Sequence, residues 1–145
     1  MAYTVRVDVA DAERELYSGA GRFVVAPAEQ GDIGVYPRHA PLLARLRPGL
    51  VRIVPPEGED RLIAISGGFI EVQRHAVTVL ADVGVRAAET DEAHAARARA
   101  AAERRLSRAR AGSTDYEAAK RDLQMFTVLL RAIEDLARHR RGQAS

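Results

Sequence analysis

The sequence predicts an α+β protein in two parts: short strands closed into a sandwich or barrel over residues 1–86, then a two-helix antiparallel hairpin over residues 87–145. Three observations carry that prediction. Apolar residues recur at every second position in the first part and at every third or fourth in the second. All six prolines and nearly all of the glycines lie in the first part. No helical pattern of ~10 residues interrupts the strand-like runs, which argues against a parallel sheet built with crossover helices.

The first element is a strand, because Tyr3, Val5, Val7 and Val9 alternate with Thr4, Arg6 and Asp8 and so form one apolar and one polar face. Similar short runs follow at residues 23–25, 50–54, 62–65, 69–72 and 77–80. Turn signals separate them: Ser18-Gly19, the Pro55-Pro56 run to Asp60, Gly67-Gly68, and Gln73-Arg74-His75. Residues 31–43 read as a loop held in one shape. Gly31 and Gly34 can take positive φ at no steric cost, Pro37 and Pro41 fix φ, and Ile33, Val35, Leu42 and Leu43 are apolar pegs. Rigid turn chemistry without a nucleophile or metal-ligand set points to a surface held by partners.

The second part opens with Glu89, Thr90, Asp91 and Glu92, a cap candidate with acids in the first turn. An Ala- and Arg-rich run to Ala111 favours helix, and residues 112–115 break it. Tyr116, Ala119, Leu123, Phe126, Leu130, Ile133 and Ala137 then follow at spacings of three and four, the seam of a helix on a near-antiparallel neighbour. The matching stripe of the first helix, Ala95, Ala98, Ala102, Leu106 and Ala109, is mostly alanine and buries little area at about 25 cal/mol per Å². A hairpin with this seam is expected to be marginal alone. A further stripe on the second helix, Met125, Leu129, Ala132 and Leu136, makes its apolar arc wider than one slim neighbour can hide. Some other surface is expected to cover it.

Composition narrows function mostly by exclusion. At 145 residues and 47% hydrophobic the chain can build one sizeable core or two small ones. Without cysteine it has no disulfide, thiolate chemistry or Cys-type zinc site. The N-terminal residues have no apolar signal region, and no apolar run approaches the ~18 residues of a spanning helix, so a cytoplasmic chain is expected unless a membrane complex holds it. Net charge is +2, split as −1 over residues 1–86 and +3 over the rest. That is too little to imply nucleic acid, although a pI near 9.4 keeps a nucleic-acid-binding adaptor in view. Glu92, Glu103, Glu117, Asp122, Glu134 and Asp135 interrupt the arginines such an adaptor would use. A free-standing scaffold would share the same folding signals.

Catalytic and metal motifs are weak. Ser66, His39 and Asp82 could be drawn as a triad, but Ser66-Gly67-Gly68 lacks the Gly-x-Ser-x-Gly elbow. His39, His75, His94 and His139 are spread without ligand spacing, and no phosphate-binding Gly-x-x-x-x-Gly-Lys loop occurs. No cofactor, metal or turnover is expected.

The block GDIGVYPRHAPLL at residues 31–43, Arg47-Pro48-Gly49, SGGFIEV at residues 66–72 and the strand at residues 77–82 resemble, in order and spacing, the ε subunit of bacterial F-type ATP synthases. The helical remainder is similar to that family's C-terminal half. The resemblance implies an antiparallel β-sandwich rotor domain that clamps the γ subunit and rests on the c-ring, and a hairpin that inhibits ATP hydrolysis when extended toward the α and β subunits. It implies γ contacts at Arg38, His39, Pro41 and Leu42, and c-ring contacts at Glu29 and Asp32. Arg97, Arg104, Arg108, Arg131 and Arg138 are its candidates for an acidic loop of β. The implied place is the cytoplasmic face of the bacterial inner membrane, peripheral through the complex.

One departure stands out. Members that bind ATP in the hairpin carry (Ile/Leu)-Asp-x-x-Arg-Ala and two arginines on the last helix. Here the motif reads Thr90-Asp91-Glu92-Ala93-His94-Ala95, and Met125 and Leu129 fall at the paired arginine positions. Without three guanidinium groups for phosphate, no tight ATP binding is expected.

Overall fold

In the computed structural model, which describes residues 3–144, the strands are β1 (Val5–Ala10), β2 (Glu15–Gly21), β3 (Phe23–Ala28), β4 (Gly31–Val35), β5 (Leu42–Leu46), β6 (Gly49–Val54), β7 (Arg61–Ile65), β8 (Gly68–Val72), β9 (Ala76–Ala81) and β10 (Gly84–Arg86). A 3-10 turn, Ala87–Glu89, leads into α1 (Glu92–Arg108) and α2 (Thr114–Ala144). Hydrogen bonding runs along β10-β7-β6-β3-β5-β8-β9-β1-β2, with β4 added on β3. A lone Ala28–Leu46 bridge links β3 to β5, so the path divides there into two layers, β4-β3-β6-β7-β10 and β5-β8-β9-β1-β2. Val5, Val7 and Val9 of β1 pack between the layers with Val24, Val51, Ile53, Ile63, Ile70 and Val79, the inward half of the period-two pattern.

Several sequence expectations change in detail. The sandwich is antiparallel except for β1 and β9, which pair in parallel from Arg6↔Ala76 to Ala10↔Leu80. Ser18-Gly19 is not a turn but lies within β2, where the Ser18 hydroxyl donates to Asp8 (2.7 Å) and accepts from Arg6. A cross-strand polar cluster on the solvent face thus explains residues that look like punctuation. Residues 31–43, read as a held loop, contain β4 and the start of β5. Gly31 does have positive φ (137°), whereas in this segment the other left-handed residue is Arg38 (φ 67°) and not Gly34. Gly34 is instead a matter of space, since a Cβ there would stand 2.9 Å from the Phe23 ring.

Asp11 ties the sheet edges together. One carboxylate oxygen accepts from the backbone N–H of Glu13 and Arg14 (2.9 and 3.0 Å), and the other from Gly84 N–H (3.2 Å), joining the β1–β2 turn to β10. Partial burial opposes ionisation of this carboxyl, but the three N–H donors outweigh it and hold it below the usual carboxylate range.

The hairpin follows from its caps. Asp91 accepts from His94 N–H (2.7 Å) at the start of α1, and Ser113 from Tyr116 N–H (3.1 Å) at the start of α2. Gly112, at φ 82°, turns the chain between the helices. Across the seam Arg105 pairs with Asp122 (2.8 Å), and Arg99 donates to Thr127 (3.1 Å). The covering surface expected for α2 is the outer face of β6, β7 and β10. Leu50, Ala64 and Val85 form one cross-strand row there, and Ala64, Ala87, Ala95, Met125 and Leu129 bury together. Met125 and Leu129, read as the surplus stripe, are fully buried because they sit where α1, α2 and the sheet meet.

Candidate docking faces

The outer face of the second layer has no such cover. Register places Arg45, Phe69, Leu80 and Ala10 side by side across β5, β8, β9 and β1. Leu43 is 69% exposed, Leu80 58% and Phe69 45%. The Arg45 guanidinium lies over the Phe69 ring at 5.2 Å, which leaves the row apolar with a cationic margin. Leu43 stands in the neighbouring row, opposite Glu71, and an apolar patch rimmed by charge in this way marks an interaction surface. None of these three residues was singled out from the sequence as a contact. Period two carried the signal: in Leu42-Leu43 the first side chain packs against the sandwich core and the second faces out.

The candidate γ contacts gather at one end of the sandwich. Arg38 stacks its guanidinium over Tyr3 at 4.3 Å and donates its backbone N–H to Arg74 O (3.1 Å). His39 closes a turn onto Tyr36 O (3.2 Å), with its Nδ1 2.7 Å from Ala40 O. Pro41 is exposed, and Leu42 is half-buried. Beside them Phe23 and Tyr36 stack at 4.3 Å.

Glu29 and Asp32 occupy the opposite end, at the β3–β4 turn beside the Ala28–Leu46 bridge. Glu29 faces Arg45 (3.8 Å) and Asp32 pairs with Arg47 (2.8 Å), all well exposed. The β5–β8 ladder between the two ends runs from Leu42↔Val72 to Leu46↔Gly68, about 14 Å at ~3.4 Å per residue. The same separation dismantles the imagined triad. Ser66 is buried at the Gly68 end, where its hydroxyl accepts from Val83 N–H (3.1 Å), while His39 lies beyond the other end.

On the hairpin, Arg97, Arg104, Arg108, Arg131 and Arg138 are all exposed. Arg138 pairs with Asp135, and the other four make no ion pair among the described residues. Structure adds Arg105, whose pairing with Asp122 spends its charge within the hairpin. His94 is exposed, whereas Met125 and Leu129 are packed core with no opening for a phosphate. Among the described residues, no group of three His, Asp or Glu could hold a metal ion. Among the described residues no helix is long and apolar enough to cross a membrane.

Comparison with known proteins agrees with this architecture. Residues 4–87 match the family model for the ATP synthase Delta/Epsilon chain, beta-sandwich domain. The ATP synthase epsilon chain of Nitrosococcus oceani is 48% identical over 134 residues, 92% of this chain and 95% of the relative. That of Thioalkalivibrio sulfidiphilus is 49% identical over 142 residues, 97% of this chain and all of the relative. Among solved structures, a chain of the Euglena gracilis mitochondrial ATP synthase (OSCP/F1/c-ring) superposes with a TM-score of 0.70 at 19% identity, covering 90% of this chain and 81% of the other. A chain of the Tetrahymena thermophila mitochondrial ATP synthase central stalk and c-ring gives 0.56 at 14% identity, covering 89% and 96%. With the sandwich matched by the family model and the hairpin spanned by near half-identical relatives, this chain belongs to the ATP synthase epsilon-chain family.

Proposed function

We propose that the chain is a non-catalytic central-stalk subunit of an F-type ATP synthase that joins the γ subunit to the c-ring, with a hairpin that restrains ATP hydrolysis. Family membership over nearly the whole chain, hairpin included, carries this reading. The open patch of Leu43, Phe69 and Leu80, with the neighbouring end at Arg38, His39 and Pro41, supplies the surface for γ. Glu29 and Asp32, at the far end, supply the side for the c-ring. Torque then passes through a rigid sandwich while catalysis occurs on other subunits. The chain stays peripheral to the membrane through the complex.

The hairpin acts through a choice of packing surface. Lying on β6, β7 and β10, it buries Met125 and Leu129 and leaves rotation free. Extended, it exchanges those contacts for others and brings Arg97, Arg104, Arg108, Arg131 and Arg138 to an acidic loop of β. Such an exchange is set by differential contacts in the two states. The mostly alanine seam between α1 and α2 favours it, because little area binds the hairpin to itself.

Removal of all residues after Arg86 tests the regulatory half. In the reconstituted enzyme the truncated chain should still assemble and couple, and ATP hydrolysis should rise. Hydrolysis unchanged by the truncation would overturn the inhibitory role.

A further inference from the structure

We propose that the cleft between the sandwich and the end of α2 is a binding site for an amphipathic anion, an aliphatic chain ending in a carboxylate or phosphate. The cleft has a volume of about 540 Å³, in the range of small-molecule sites. It exists because α2, at 31 residues, outruns the 17 residues of α1, so its last turns lie over β7 and the 3-10 turn with no helix beside them. Leu16, Leu62 and Leu136 give it an apolar floor.

The rim is cationic beyond what the chain itself neutralises. Arg52 is matched by Asp60 at 2.7 Å, but Arg140 meets Glu59 only at 4.0 Å, and Arg61 makes no ion pair among the described residues. Arg86 pairs with Glu89 and donates to Leu16 O, yet its Nε is buried with no hydrogen-bond partner among the described residues. Arg61 and the loosely paired Arg140 therefore remain for an anion, and a planar guanidinium matches a carboxylate or phosphate head. A neutral apolar molecule would leave these cations unanswered, and a small inorganic anion would leave the floor unfilled. Only the combination uses both halves of the site.

An occupant touches β7, the 3-10 turn and α2 together, so it holds the end of α2 on the sandwich. The site does not depend on the rotor reading; the consequence that its ligand would favour the packed hairpin, and so free hydrolysis, does.

Calorimetry of the full chain with decanoate and with decyl phosphate, each below its micelle concentration and with decanol as the neutral control, tests the site apart from any ATPase assay. One anion should bind per chain, about tenfold or more tighter than decanol, and the tighter of the two names the head group. Arg61→Glu should weaken binding about tenfold. Ala88→Phe, at an exposed position of the 3-10 turn that lines the cleft, should remove binding by filling it. Melting curves establish that both variants fold. Absence of saturable binding, equal binding of decanol, or binding that survives both variants and is lost in Phe69→Ser would overturn the proposal.

Discussion

The two outer faces of the sandwich are built alike and end differently. On β6, β7 and β10 the row Leu50, Ala64, Val85 lies under the hairpin, and Ala64 is fully buried. On β5, β8 and β9 the row through Phe69 and Leu80 stays open, with Leu43 the most exposed large apolar residue of the three. Both are rows of apolar side chains on strands whose other face forms the core. Which one is free is decided by a helix some sixty residues downstream, not by either row. On the proposed reading, the face the chain covers itself serves its own regulation and the open face serves a partner.

The covered face should be the more sensitive to truncation. Leu129→Ala, at the junction of both helices and the sheet, should cost about 2–5 kcal/mol of folding stability in urea titration, with the hairpin cleaved sooner by protease. A smaller cost with unchanged cleavage would mean that the hairpin is not held there. The open face should behave oppositely. Phe69→Ser with Leu80→Ser should change the isolated chain's stability by about 1 kcal/mol or less, yet weaken binding to γ at least about tenfold. Equal affinity of the double variant would remove the proposed role of the row.

Next in size is Asp11→Ala, which should cost about 1 kcal/mol by freeing Gly84 N–H and the β1–β2 turn. The sign with pH follows from the lowered carboxyl. Its contribution is complete above the ordinary carboxylate value near ~3.9 and is lost as pH falls through the lower folded value. The melting-temperature gap between the parent and this variant should therefore hold from neutral to mild acid and close only below about pH 4. The smallest expected effect is none at all. ATP titrated into the chain at neutral pH should give no calorimetric signal of tight binding, since Met125 and Leu129 are core. Sub-millimolar binding would contradict that.

The division by period was legible in the sequence, because alternation in Val5, Val7 and Val9 and the three-four spacing from Tyr116 onward report local geometry directly. So was the start of α1, where Asp91 within the candidate segment is the cap, whereas Ser113, read only as part of a break, proves to cap α2. Less legible was β2, since Ser18 and Gly19 favour turns by propensity and are held extended by partners on β1. The parallel β1–β9 pairing joins residues about seventy apart, a contact no local pattern encodes. The candidate site divided in the same way. Arg38, His39, Glu29 and Asp32 were visible through family motifs, whereas Leu43, Phe69 and Leu80 became notable only once the hairpin was seen to cover the other face.

Oxidative footprinting of side chains in the chain alone and bound to γ tests the contrast between the faces most directly. Leu43, Phe69 and Leu80 should be reactive in the free chain and lose reactivity on binding, while Met125 and Leu129 under the hairpin stay protected in both. Persistent reactivity at Leu43, Phe69 and Leu80 in the complex would contradict the account.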